Sequence, residues 1–272
     1  MADKAQKILF VNSEIFPYLP ESDIASIGRY LPQGVQERKR EIRSFMPRFG
    51  CINERKNQLH EVIRLSGMNI IISDVDRPLI IKVASISAAR IQIYFIDNED
   101  YFRRKQIYCA EDGTFFHDND ERAIFFARGV METVKKLRWA PDVIHCQGWI
   151  SHLVPAYLKK VYADDPIFSN SKIVLSLYDD TPVSAFSPDF SQKAAFGGLG
   201  SGDVPFLQDP NGINLAKTAA QYADGIILGS GSVDEEILDY CKSRNLPILP
   251  HDPEALETGR YIDDYCAFYD QL

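Results

Sequence analysis

Six short runs, at residues 8–11, 42–46, 91–96, 143–146, 173–177 and 226–228, are apolar and largely β-branched. A strand with one wet face alternates apolar and polar residues, whereas a strand buried on both faces reads as a nearly continuous apolar run. Helix-forming stretches separate several of these runs. The pattern predicts an α/β fold, a Rossmann-like doubly wound and mostly parallel sheet with helices on both faces.

The clearest helix starts at Asp118. Asp118 and Glu121 have the spacing of an acidic capping box, and Ala123, Phe126, Ala127, Val130, Val134 and Leu137 follow as one apolar stripe. Pro141 marks its end. Residues 22–38, 150–161, 214–223 and 232–244 are the other expected helices. Runs 69–72 and 79–85 read as a hairpin-like insertion, with Pro78 and the neighbouring aspartates supplying the turn. Residues 181–209 read as a long surface loop. Within it Phe196-Gly-Gly-Leu-Gly-Ser-Gly-Asp203 lacks the preceding strand that a dinucleotide fingerprint requires.

At 272 residues with 45% hydrophobic content, the chain can bury a sizeable core as a single domain. Its net charge of −8 argues against a nucleic-acid partner. The five cysteines, at 51, 109, 146, 241 and 266, have no Cys-x-x-Cys spacing, and His251 completes no ligand set, so free thiols and no metal site are expected. No run approaches the roughly 20 apolar residues of a membrane span, and residues 1–7 do not read as a signal peptide. A cytoplasmic protein without a membrane partner is the expectation.

In a doubly wound sheet, ligands sit beyond the carboxyl ends of the strands. That directs attention to residues 12–26, 145–152, 178–185 and 229–233. Gly229, Ser230 and Gly231 lie between a strand and a helix, where free N–H groups can hold an anion. Asp179 and Asp180 read either as an acid–base or cation-binding pair or as caps of the loop before Pro182. His145 reads either as a catalytic group or as a hydrogen-bonded core histidine. Glu14 reads either as a ligand contact or as a loop hydrogen-bonding group.

Several motifs carry a resemblance. Ile8-Leu-Phe-Val-Asn-Ser-Glu-Ile-Phe-Pro17, Ile42-Arg-Ser-Phe-Met-Pro-Arg-Phe-Gly50, Tyr94-Phe-Ile-Asp-Asn-Glu-Asp-Tyr-Phe102 and Trp139-Ala-Pro-Asp-Val-Ile-His145 occur in that order. Over residues 7–245 the chain resembles the N-terminal catalytic half of the glycogen and starch synthases, retaining glucosyltransferases of the two-domain GT-B type. The resemblance implies a single starch-synthase-like domain with residues 246–272 as a C-terminal extension and no second GT-B domain.

The departures from that family fall on its chemistry. The family's Lys-Thr-Gly-Gly-Leu donor loop aligns with Pro20, Glu21, Ser22, Asp23 and Ile24. Proline has no N–H to give, and carboxylates repel a diphosphate. The family's His-Asp-Trp turn is Gln147-Gly148-Trp149, and a further family histidine aligns with Tyr178. The candidate ligand positions are therefore Glu14, Ser22, His145, Gln147, Trp149, Tyr178, Asp179, Gly229, Ser230 and Gly231, with no catalytic residue assigned and no cofactor or metal implied. The expected function is a truncated synthase-like protein that does not transfer glucose alone and binds a glucan or sugar phosphate or serves as an interaction module. The alternative is ADP-glucose-dependent α-1,4-glucosyl transfer completed by a partner subunit or a second copy. A third reading is a nucleotide-binding regulator using residues 229–232.

Overall fold

The structure, a computed structural model, describes residues 5–200 and 202–272. Residues 1–4, on which part of the signal-peptide reading rests, and Ser201 of the glycine-rich stretch lie outside the described residues. Among the described residues ten strands form one sheet: β1 (Lys7–Asn12), β2 (Glu41–Pro47), β3 (His60–Glu61), β4 (Met68–Ile72), β5 (Val75–Ile86), β6 (Ile91–Asp97), β7 (Val143–Gln147), β8 (Lys172–Leu177), β9 (Gly225–Leu228) and β10 (Ile248–Leu249). Their order is β10-β9-β8-β7-β1-β2-β6-β5-β3, with β4 paired to the outer part of β5. Every pairing from β10 across to β6 is parallel. The pairings of β5 with β6, β3 and β4 are antiparallel. The six apolar runs are the six inner parallel strands, and β1 at the centre is buried from Ile8 to Asn12.

The helices are α1 (Asp23–Glu37), α2 (Glu99–Phe102), α3 (Asn119–Leu137), α4 (Val154–Lys160), α5 (Phe190–Phe196), α6 (Gly212–Tyr222), α7 (Glu235–Ser243), α8 (Pro253–Thr258) and α9 (Tyr261–Asp270). None is long and apolar enough to cross a membrane. Ser22 caps α1 as its residue type suggests, its hydroxyl accepting the Ala25 N–H at 3.1 Å.

Several local expectations need correction. The Asp118 capping box does not form, because other side chains take both carboxylates. Asp118 bonds Arg104 at 2.6 Å, and Glu121 accepts the Tyr101 hydroxyl at 2.7 Å. The helix ends at Leu137 on a left-handed Arg138, before Pro141. Pro78 is not in the hairpin turn: it pairs with Asn69 inside β5, while Ser73 and Asp74, both at positive φ, make the turn. The hairpin is also no mere insertion, since residues 80–86 of β5 extend the main sheet along β6. The stretch 181–209 is not all loop. It contains α5, which buries Phe190 and Ala194 and is held by Lys193 on Asp120 at 3.0 Å and Glu121 at 3.1 Å. Expected helix 150–161 splits into a 3-10 turn at Trp149–Ser151 and α4. Expected helix 232–244 starts three residues later, at Glu235.

The segment after residue 246 is built into the sheet. β10 pairs with β9, and α9 lies against α1, tied by Arg38–Asp263 at 2.5 Å and by Arg40 of the following turn to Asp270 at 2.8 Å. Tyr269 on α9 reaches the centre of the sheet, its hydroxyl 2.8 Å from His145 Nδ1.

Candidate functional site

The parallel strands end side by side, so β1, β7, β8 and β9 bring Glu14, Gln147, Tyr178 and Gly229 to one edge. Two of the candidate side chains there face each other. The Tyr178 hydroxyl donates to Gln147 Oε1 at 3.1 Å, and Gln147 Nε2 donates to Asn12 Oδ1 at 2.9 Å. Both residues are buried, and burial holds the Tyr178 phenol well above its usual pKa. The pair forms an internal polar chain that satisfies itself.

Trp149 is also buried. Its ring packs against Tyr108 at 4.7 Å and Phe186 at 5.6 Å, and its backbone N–H donates to Asp180 Oδ2 at 2.8 Å. Gly148 sits at φ 80°, a region L side chains avoid, and a β-carbon there would stand 2.0 Å from Ser13 Oγ. Burial raises the Asp180 carboxyl to a pKa of about 6, with Glu14 and Asp179 adding like-charge repulsion.

Glu14 is half-buried and accepts the Ser22 hydroxyl at 2.9 Å, so these two candidates are joined across the turn into α1. Pro20, Glu21 and Asp23 on the same turn are exposed. Asp179 points elsewhere, into a separate groove with Thr181, Asn211, Ser232 and Asp234.

His145 is held inside the sheet away from this edge, between Ser176 Oγ at 2.6 Å and the Tyr269 hydroxyl at 2.8 Å. Burial depresses its pKa to about 3, so it is a neutral imidazole with both nitrogens engaged. Gly229 is covered by the Tyr178 ring, whose Cε1 would lie 2.3 Å from a β-carbon. Ser230 Oγ accepts the Ser232 N–H at 3.0 Å, and Gly231 is exposed. The helix beyond is capped by Asp234, which accepts the Glu236 N–H at 2.9 Å, and opens with Glu235 and Glu236. Those carboxylates occupy the positive end of α7 that an anion would need.

Of the Asp179–Asp180 pair only Asp179 stood among the candidate ligand positions, and sequence reasoning passed over two further residues here, Tyr108 and Arg122. Asp180, rather than Asp179, reaches the strand-end turn. The Tyr108 hydroxyl lies beside Ser13, and neither oxygen completes a hydrogen bond of good geometry. Behind Tyr108, Arg122 is fully buried among the rings of Phe49, Phe102, Tyr108 and Phe116, with the Asn119 side chain as its partner at 2.5 Å. Burial lowers its pKa to about 10. Among the described residues no group of three or more His, Cys, Asp or Glu is arranged to hold a metal.

The starch synthase catalytic domain family matches residues 7–246. A glycogen synthase of Chlorobium limicola is 34% identical over 244 residues, covering 88% of this chain and 48% of that protein. One from Chlorobium phaeobacteroides is 38% identical over 180 residues, 66% of this chain and 37% of its own length. The chain thus spans about half the length of the curated relatives it matches. The catalytic domain of Starch Synthase IV from Arabidopsis thaliana, solved bound to ADP and acarbose, superposes with a TM-score of 0.73 at 14% identity, over 91% of this chain and 51% of that one. The sheet is therefore that of one Rossmann-like half of a GT-B glycosyltransferase, and the chain belongs to the starch synthase catalytic domain family.

Proposed function

We propose that this chain is a glucan-binding relative of the glycogen synthases that does not transfer glucose by itself, and that residues 1–272 work as one unit. The observation that carries the reading is the charge at the strand ends. Glu21 and Asp23 lie on the turn where the family places a lysine and glycines, Glu14 is bonded to Ser22 of that turn, and Asp180 on the neighbouring strand end feels the like charges of Glu14 and Asp179. A diphosphate meets repulsion there, whereas carboxylates accept hydrogen bonds from sugar hydroxyls without cost to the sugar's neutrality. Isothermal titration with ADP-glucose, ADP and maltoheptaose tests it. Heat from maltoheptaose alone is expected; heat from either nucleotide would overturn it.

The second reading, ADP-glucose-dependent transfer completed by a partner subunit or a second copy, is favoured by the relatives named glycogen synthase and by the structural neighbour's bound ADP and acarbose. Transfer of labelled glucose to glycogen by the purified chain, or by the chain with a fractionated lysate, is its readout.

A further inference from the structure

A groove of about 430 Å³ runs between the first turns of α1 and the α8–α9 segment, reaching Gly229 at the strand-end edge. Its volume falls in the range of small-molecule sites. One wall belongs to sequence beyond residue 246, outside the part of the chain that the family match covers. Ile27 and Ile262 give it an apolar lining, Tyr30 and Tyr261 give it two aromatic rings, and Asp23 and Glu257 place a carboxylate on each wall. Tyr30 is 45% exposed, unusually open for so large an apolar surface.

We propose that this groove binds a neutral oligosaccharide, with Tyr30 as the face against which a sugar ring lies and Asp23 and Glu257 as acceptors for its hydroxyls. The inference rests on the glucan-binding reading above and names the surface that performs it. Three features select a neutral polyol. No lysine or arginine is among the described lining residues, and the two carboxylates are of one sign, so anions are disfavoured. The guanidinium of Arg29 already stands 5.3 Å from the centre of the Tyr30 ring, so a cationic ligand lying on that ring meets a like charge. Ser26 adds a hydroxyl that can both donate and accept, and Thr258, whose proton goes to the Glu254 carbonyl at 2.8 Å, adds an acceptor.

The test is a maltoheptaose titration of the full chain followed by amide NMR, repeated with Tyr30→Ala and Glu257→Gln. Both residues are exposed, so neither change threatens the fold. Shifts confined to the groove amides of Ser26, Thr258 and Gly259 are expected. A rise of about tenfold in Kd is expected for each variant, the size of losing one good contact to a charged or aromatic group. Binding that shifts other amides, with both variants unchanged, overturns the groove and leaves the glucan reading standing. No binding by the wild-type chain overturns both. Groove shifts with spermidine but none with maltoheptaose overturn the neutral ligand.

Discussion

Asp180 and Gly148 share one position between them: the Asp180 carboxylate lies 3.3 Å from where a β-carbon on Gly148 would stand, and it accepts the N–H of the next residue, Trp149. The turn that carries an acidic side chain in the family has none here, and a carboxylate arrives at the same place from the end of β8. The carboxylate at this turn is therefore supplied from the end of β8, where partial burial and the charge of Glu14 raise its pKa.

Returning the family's aspartate to this turn does not rebuild the family's site. Gly148→Asp forces a side chain into positive φ and against Ser13, with Asp180 behind it. A loss of about 2–4 kcal/mol is expected from strain and overpacking together. Urea denaturation reads it, and Ser13→Gly in the same chain should recover part of the loss. An unchanged midpoint would show that Ser13 and Asp180 move aside freely.

Asp180 also sets a pH signature. Its folded pKa, about 6, is above the ordinary 3.8, so the native state keeps this proton after the unfolded chain has lost it. Its contribution therefore falls as pH rises between those two values and stays low above pH 6. Asp180→Asn retains an oxygen acceptor for Trp149 and removes the titration. The variant should gain on the wild type between about pH 4 and about pH 7 in urea midpoint. A constant difference across that span would contradict the buried carboxyl.

His152 works in the opposite direction. It is buried with neither ring nitrogen hydrogen-bonded, and burial lowers its pKa from 6.5 to about 3. As pH falls through that interval the unfolded chain takes up the proton and the native state does not, so stability is lost. His152→Leu removes an unsatisfied polar group from the interior and should be neutral or stabilising near pH 7. Its advantage should grow steadily on acidification. Thermal unfolding at several pH values checks this, and an equally steep acid decline in the variant would refute it.

Tyr269→Phe leaves His145 Nδ1 without its partner in a fully buried setting. The expected cost is about 1–3 kcal/mol, that of an orphaned buried polar group. His145→Phe combined with it should cost less than the sum of the two single changes, because the pair leaves together. Additive losses in a double-mutant cycle would show that the contact carries no coupling.

The parallel sheet was legible because its inner strands are buried on both faces, and unbroken apolar runs such as 8–11 and 173–177 record that directly. The same burial hid the site. With no alternation along β8, nothing in Leu177-Tyr-Asp-Asp180 distinguishes the aspartate that turns inward from the one that turns to solvent. Asp118 had the residue type and spacing of a cap, yet Arg104, fourteen residues away, outbid the backbone for its carboxylate. Helix α5 was invisible for a similar reason: a seven-residue helix has little periodicity to show, and Lys193 is held by acids on α3 some seventy residues earlier. Tyr108 and Arg122 were missed because their meeting depends on how the 103–118 segment folds back over α3. The groove needs α9 docked on α1, a tertiary event with no local signature.

The contact between His145 and Tyr269 spans 124 positions of the chain. A ribosome completes the central strands long before it releases the residue that covers them. Through that interval an imidazole at the middle of the sheet stays wet, and the face around it stays available to chaperones or to neighbouring nascent chains. For this protein the emergence of the α9 segment is the step that closes the core around His145, so the time between synthesis of β7 and of α9 is the time for which that face stays open.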